Sequence, residues 1–330
     1  MTIYYSQQLS KEFENVIFES PISQTTNLCE KIYLINTFSY LKNIMKDNFN
    51  HYIFFIFSYN QKNTDTLPKS ITYNSDKKKI LIYISEETGY TPDFLSSYYY
   101  TIFKSYLRNE KFHSNNIYNF PVGYHDDFLE LPYINIRNRT NSVFFIGNLN
   151  YSRLPLYLQL LTGININSIF YLIFNERIIN YLLNIKIIKY LLTLIKFDYK
   201  IKDSFIRFTN GFKQGLSGKE YSKKIYDSKI VLCPKGFHST ECFRHYEAMK
   251  AGCVIISEKL PSTYLYKDSP IIQVSNWKEG IKIARQLINQ DNKLEQLSKK
   301  TLEWWNDKCS EEATAKYMIN CINSLNRRKP

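Results

Sequence analysis

Ser228-Lys-Ile-Val-Leu-Cys-Pro-Lys-Gly-Phe-His-Ser-Thr-Glu-Cys-Phe-Arg-His-Tyr-Glu-Ala-Met-Lys-Ala-Gly-Cys-Val-Ile-Ile256 decides the fold of this chain. It reads as strand (Lys229–Cys233), loop, helix (about Glu241–Ala251) and strand (Cys253–Ser257). Pro234 ends the first strand, and Gly236 frees the backbone to turn. Ser239 or Thr240 is placed to cap the helix. A helix that starts after a parallel strand presents unpaired amides and a positive dipole end at the carboxyl edge of the sheet. Open α/β folds bind ligands at that edge, and a diphosphate suits it. Lys235, His238 and Arg244 add cationic or donor groups, and Glu247 can accept two hydrogen bonds from ribose hydroxyls. On the helical wheel Cys242, Tyr246 and Met249 face the sheet, while Arg244 and Glu247 point away. That suits the flank of a cleft and equally a solvated ion pair.

The flanking sequence continues the alternation. Lys31–Phe38, Tyr52–Ser58 and Lys79–Ser85 read as strands, Tyr40–Phe49 as a helix, and Thr91–Leu107 as a helix with Pro92 in its first turn. Asn116–Arg139, with Pro121, Gly123 and Pro132, reads as a connection between domains. A new strand starts at Ser142–Ile146, with a helix from about Ser152. Ile169–Phe197 is the most hydrophobic stretch. It suits a core strand and helix, the preferred reading, or a basic amphipathic helix on a membrane surface. Phe205–Thr209 is a further strand, Ser217-Gly-Lys-Glu220 has capping-box spacing, Ile271–Val274 is a strand, and the rest is helical to Leu325. Strands alternating with helices predict parallel sheets covered on both faces. The expected domains are residues 1–140 and 141–330, with the terminal helices free to pack back on the first domain.

The 330 residues are 44% hydrophobic and 22% charged, a globular mix that excludes a disordered chain or a disulfide scaffold. No apolar run is long enough to span a membrane. Net charge +13 fits a phosphate-bearing partner, although AT-rich coding would also enrich Lys, Asn, Ile, Tyr and Phe. Six cysteines without a CxxC, together with an N-terminus lacking an apolar signal core, predict a cytoplasmic chain with reduced thiols. Cys233 and Cys253 are expected in the core. There is no GxGxxG, P-loop, GxSxG or HExxH, and no Asp-x-Asp pair to hold a divalent ion. No metal and no cofactor are therefore expected.

Leu232-Cys-Pro-Lys-Gly236, Arg244-x-x-Glu247-Ala248 and Ala251-Gly-Cys-Val-Ile255 together resemble the donor-binding motif of exostosin-type glycosyltransferases. Ser142-Val-Phe-Phe-Ile-Gly147, with Arg153 shortly after, resembles the start of their C-terminal domain. The resemblance implies a GT-B fold: two Rossmann-like domains with parallel sheets facing a central cleft. The sugar nucleotide would sit on the C-terminal domain and the acceptor on the N-terminal one, for an inverting, metal-independent transfer. This chain has Ile255-Ile256 where exostosins usually carry a proline. Gly236-Phe-His-Ser-Thr-Glu241 is also similar to a motif of α1,3-fucosyltransferases, with Cys242 in place of the motif's lysine. Ile84–Phe94 loosely resembles their glutamate-containing loop.

On this reading the donor site comprises Arg153, Lys235, Gly236, His238, Ser239, Thr240, Arg244 and Glu247. Glu86 and Glu87, just after a strand, are the candidates for the catalytic base, with His125-Asp-Asp127 a second choice. The expected partners are a nucleotide-sugar (UDP-sugar ahead of GDP-sugar) and a glycan or lipid-linked acceptor in surface polysaccharide synthesis. Peripheral membrane contact is compatible, and no nucleic acid is expected. A GDP-fucose-dependent fucosyltransferase is the nearest alternative. From other classes, a non-catalytic GT-B scaffold and a basic nucleic-acid-binding protein stay open. The scaffold would be marked by loss of Arg244 or Glu247, and the nucleic-acid binder by salt-sensitive binding through exposed aromatic and basic residues.

Overall fold

The computed structural model describes residues 12–19, 28–58, 67–90, 93–109, 114–163, 177, 181–183, 185–211 and 214–328. The chain forms two α/β units, each built on a five-stranded parallel sheet, the class the sequence predicts. Unit 1 takes Met1–Asp126, Pro261–Lys267 and Asn306–Pro330; unit 2 takes Asp127–Leu260 and Asp268–Trp305. The division therefore precedes the expected boundary at 140. Hydrogen bonds explain why. The buried Arg139 donates to the carbonyls of Ser228 and Ala251, and Leu129 N–H donates to Ser222. The later part of the segment read as a connection, from Asp127 onward, is thus fastened to unit 2.

The sheet of unit 1 runs in chain order: β1 (Val16–Glu19), β2 (Tyr52–Ser58), β3 (Lys78–Ile84), β4 (Thr101–Lys104) and β5 (Ile117–Asn119). All seven residues of β2 are buried, which accounts for its unbroken apolar run. Ile53, Phe55 and Phe57 pack with Leu81 and Ile102 on one face. On the other, Phe54 lies 5.3 Å from Phe38 and 5.1 Å from Phe49, ring centre to ring centre.

Three expectations in this unit are corrected. Lys31–Phe38 is not a strand but the start of helix α1 (Lys31–Met45), whose buried residues are Tyr33, Leu34, Thr37, Phe38 and Leu41. That spacing is helical, and burial of one helical stripe outweighs the β-branched and aromatic content. Thr91–Leu107 is not one helix. Pro92 lies outside the described residues, Asp93–Ser97 forms a 3-10 turn, and Thr101–Lys104 is the fully buried β4. The assumed connection also contributes β5, whose three residues are too few to show a period.

Unit 2 has sheet order β10-β9-β8-β6-β7, with β6 (Asn141–Asn148), β7 (Phe205–Thr209), β8 (Ser228–Cys233), β9 (Val254–Glu258) and β10 (Ile272–Val274). From β6 the chain moves outward to β7, then crosses back to lay β8 on the other side of β6. The order reverses between β6 and β8, where open sheets leave a crevice at their carboxyl ends. The helices are α2 (Leu154–Thr162), α3 (Lys186–Thr193), α4 (Gly218–Tyr226), α5 (Phe243–Lys250), α6 (Trp277–Leu287) and α7 (Asp291–Trp304). The capping box at Ser217 and Glu220 opens α4 as expected. Gly252, at φ +67°, ends the α5 turn; a Cβ there would meet Leu302 at 2.7 Å. Cys233 and Cys253 are fully buried, and the six cysteines are free thiols.

The hydrophobic stretch 169–197 is core in part: Leu183 and Phe197 are buried in the core of unit 2, with Leu192 and Ile195 packed against it. Residues 169–176, 178–180 and 184 lie outside the described residues, and α3 contains no buried residue. In unit 1 the chain ends in α8 (Glu311–Arg328), which packs along α1. There the Tyr33 hydroxyl, at 2.7 Å from both, meets the Cys309 carbonyl and Thr314 Oγ1.

Candidate active site

The carboxyl ends of β6 and β8 bring Arg153, Lys235 and Arg244 together. Arg244 projects from the first turn of α5 and is buried at 8% exposure, so the solvated ion-pair reading does not apply. Its Nη2 donates to the Ile146 carbonyl, and its guanidinium lies 4.9 Å over the Phe145 ring. Nε and Nη1 have no hydrogen-bond partner among the described residues. Burial opposes its charge, but Tyr221, Cys242, Cys233 and Glu247 around it hold its pKa above the ordinary value. Of these, Glu247 is the group ordinarily ionised at neutral pH. The Cys233 and Cys242 thiols are themselves pushed up by burial and stay protonated.

Arg153 is fixed by its backbone, because the Asn150 side chain accepts its N–H at 3.0 Å. Its Nη1 donates to Asn148 O at 2.9 Å and its Nε to Lys235 O at 3.3 Å. Arg153 therefore ties the loop after β6 to the loop after β8. The Lys235 amide in turn donates to the Glu258 carboxylate, which also accepts from Trp277 at 2.7 Å. Gly147 makes this packing possible. A Cβ at that position would lie 2.7 Å from Arg153 Nη1 and 3.1 Å from Arg244 Nη2. The glycine of the Phe-x-Gly run is thus where two guanidinium groups approach the strand backbone.

Glu247, one turn after Arg244, is also buried, and its Oε2 accepts from the Tyr221 hydroxyl of α4 at 2.7 Å. Burial and the neighbouring carboxylate push the Tyr221 pKa well up, so the phenol keeps its proton and donates. Sequence reasoning missed Tyr221, because nothing in the spacing of α4 marks it. It missed Phe145 as well, although its place in the Phe-x-Gly run was available.

The loop between β8 and α5 is only partly as expected. The cap position of α5 is Cys242, whose side chain makes no capping bond to the helix backbone, so neither Ser239 nor Thr240 caps the helix. Ser239 Oγ instead accepts from Glu241 N–H at 3.0 Å, and Gly236 N–H donates to Ser239 O at 2.8 Å, closing a tight loop. His238 is exposed; Lys235, Gly236, Ser239 and Thr240 are half-buried. Behind the loop, the fully buried His245 places Nε2 2.8 Å from Ser257 Oγ, and burial pushes its pKa down to about 4. It is a neutral packing group that the sequence reading left out.

Glu86 and Glu87 belong to unit 1 and differ sharply. Glu86 is 1% exposed and pairs with the fully buried Lys104 at 3.0 Å. Its other oxygen accepts from Thr88 N–H at 2.8 Å and from the Thr88 hydroxyl. Lys104 also donates to the carbonyls of Glu86 and Ser105, so the pair fastens the turn that follows β3. Such a carboxylate cannot receive a substrate proton without opening the turn. Glu87, the next residue, is half-buried. The second-choice carboxylate Asp126 accepts from Ile32 N–H at 2.9 Å and pairs with Lys31 at 3.5 Å. Asp126 thus serves the start of α1. Among the described residues no group of three or more His, Cys, Asp or Glu is placed to hold a metal ion.

Residues 191–324 match the family model of the RXYLT1 C-terminal domain, an exostosin-related glycosyltransferase domain. The match spans less than half the chain. It includes Tyr221 and the loop and helix carrying Lys235, Arg244 and Glu247. No curated protein sequence matches the chain. Similar solved structures include a glycosyltransferase from Rickettsia africae (12% identity, 98% of this chain and 88% of that one, TM-score 0.48). Others are TarM of S. aureus, as a mutant in complex with Fondaparinux, alpha-GlcNAc-glycerol and UDP (14%, 88% and 59%, TM-score 0.45), and Anabaena HepE in complex with UDP and glucose (9%, 97% and 81%, TM-score 0.44). The chain spans less than two thirds of the length of TarM.

Proposed function

We propose that this chain is an inverting, metal-independent glycosyltransferase of the GT-B type that draws on a nucleotide-sugar donor. The observation that carries the reading is Arg244. A buried guanidinium is anchored by one nitrogen to the Ile146 carbonyl at the switch point of a parallel sheet, and its Nε and Nη1 lack partners among the described residues. A buried cation left with unsatisfied donors is costly unless an anion completes it. The diphosphate of a sugar nucleotide is an anion of the right charge and size for the carboxyl edge of such a sheet.

In this reading Arg244, Arg153 and Lys235 stabilise the negative charge that builds on the leaving diphosphate. Gly236, His238, Ser239 and Thr240 line its approach, and Glu247, oriented by Tyr221, accepts from the ribose hydroxyls. The resemblance assigns the acceptor, a glycan or lipid-linked sugar, to unit 1. There Glu87 is the group to take the proton from the acceptor hydroxyl, with Glu86 and Lys104 holding its turn. The deprotonated oxygen attacks the anomeric carbon, and the bond from that carbon to the diphosphate oxygen breaks, inverting the centre. Surface polysaccharide synthesis at the inner face of a membrane fits such an acceptor. The strand aromatics Phe54, Phe55, Phe57, Phe103, Phe144 and Phe145 are buried and present no face to a base.

The test is a thermal-shift panel of UDP, GDP, CMP and their sugar conjugates in EDTA. A ligand at a hundred times its dissociation constant adds about 2.7 kcal/mol. A response to UDP or a UDP-sugar, lost in Arg244→Ala, supports the reading; a GDP response moves it to the fucosyltransferase alternative. Silence from a folded sample, or a response that requires manganese, overturns it.

A further inference from the structure

Helix α3 carries two apolar faces, and among the described residues only one is packed. Leu192 and, just beyond the helix, Ile195 pack against the core of unit 2. The Tyr157 hydroxyl donates to Leu192 O at 2.9 Å, and the fully buried Phe197 meets the Tyr157 ring edge-on at 5.2 Å. The helix is therefore seated on the unit. On its other side Ile187, Tyr190, Leu191 and Leu194 are 70%, 54%, 59% and 54% exposed. These four stand at i, i+3, i+4 and i+7, one contiguous stripe of a helix. Isolated exposed apolar residues are ordinary, but a contiguous stripe marks an interaction surface.

The charges around the stripe select its partner. Residues 186–197 contain Lys186, Lys189 and Lys196 and no acidic residue. Asp198, the next residue, is already paired with Arg207. A second copy of the same face would set lysine against lysine. An anionic lipid surface complements both features at once. The acyl boundary takes the apolar stripe, the headgroups take the lysines, and Tyr190 has the amphipathic ring suited to that depth. No helix among the described residues is long and apolar enough to cross a membrane, so the contact is one of lying on the surface.

We propose that the Ile187–Leu194 face of α3 docks unit 2 onto an anionic lipid bilayer. The proposal is independent of the glycosyltransferase reading, because it concerns a surface built from α3 alone and its test uses no substrate.

The experiment is co-sedimentation of the full chain with vesicles of phosphatidylcholine alone and of phosphatidylcholine mixed with phosphatidylglycerol. The chain is expected to pellet with the mixed vesicles, more weakly with the neutral ones, and less as salt rises. Ile187→Asp with Leu191→Asp changes two exposed side chains, so the melting temperature should hold while vesicle affinity falls about a hundredfold. Lys186→Gln and Lys189→Gln should each lower affinity for the anionic vesicles about fivefold and leave neutral vesicles unaffected. A wild-type chain that stays in solution with anionic vesicles overturns the proposal, as does a double aspartate variant that pellets like wild type. If instead light scattering finds a dimer that the aspartates dissociate, and no vesicle binding, the face is a contact between copies and the proposal is wrong.

Discussion

The Tyr221 hydroxyl donates a 2.7 Å hydrogen bond to Oε2 of Glu247, joining the helix opened by the capping box to the helix of the donor motif. Buried carboxylates turn freely only at the cost of an unmet hydrogen bond, so this contact helps to hold Glu247 in place. Tyr221→Phe removes the donor while preserving the ring that packs against Phe128 and Phe144. Nucleotide affinity measured by calorimetry is expected to drop roughly two- to tenfold with little change in melting temperature. Affinity equal to wild type would show that the Glu247 orientation does not depend on the phenol.

Gly147→Ala tests the close approach of two arginines. The added methyl would sit 2.7 Å from Arg153 Nη1 and 3.1 Å from Arg244 Nη2. These are ends of long side chains, so the backbone can stay while the guanidinium groups move. The expected result is a folded protein with nucleotide affinity lowered at least about tenfold, the loss of one charge-assisted contact. A variant that melts and binds like wild type would mean that the arginine positions are unimportant.

Lys104→Met leaves the Glu86 carboxylate buried beside an apolar chain. Breaking a buried pair from one side typically costs about 3–5 kcal/mol. Chemical denaturation should read a loss of that order. Adding Glu86→Gln should recover part of it, since no charge is then stranded. A double variant as unstable as the single one would argue that the two groups are not coupled.

His245 predicts an acid-side loss of stability. Its ring titrates near 6.5 when unfolded and at about 4 when folded, with burial the main cause. Between those values the unfolded chain holds more protons. Its stabilising share is thus complete above pH 6.5 and is lost as pH falls toward 4, on the order of 3 kcal/mol. Glu30 in unit 1 runs the other way. Burial raises it to about 7, so its share is complete below about 4.5 and is lost as pH rises through 7. The comparison must therefore be between wild type and His245→Asn. Melting temperatures followed from pH 7 downward should fall less steeply in the variant, and parallel curves would rule the histidine out.

The sequence was most legible where local chemistry and tertiary fate agree. The run from Ser228 to Ile256 reads as strand, loop, helix and strand because Pro234 and Gly236 punctuate it and because strands buried on both faces are continuously apolar. The capping box at Ser217 is likewise written in four adjacent residues. Lys31–Phe38 misled for the opposite reason. Its aromatic and β-branched residues favour a strand locally, yet packing of one stripe against β2 and α8 makes it helical. Within the site, Lys235, Arg244 and Glu247 stood in a motif, whereas Tyr221 became a partner only when two helices were packed side by side.

The sequence alone determined the class of the fold, two parallel α/β units, and the short-range elements of the donor loop, since both follow from hydrophobic period and turn chemistry within about thirty residues. Tertiary structure decided which charges are buried and what each one meets. Arg244 is held against Ile146, Glu86 is enclosed with Lys104, and Ile187 and Leu191 stay outside despite lying in the most apolar stretch of the chain. Burial depends on neighbours drawn from distant segments. No local pattern encodes whether a side chain finds a partner across the sheet or is left facing solvent.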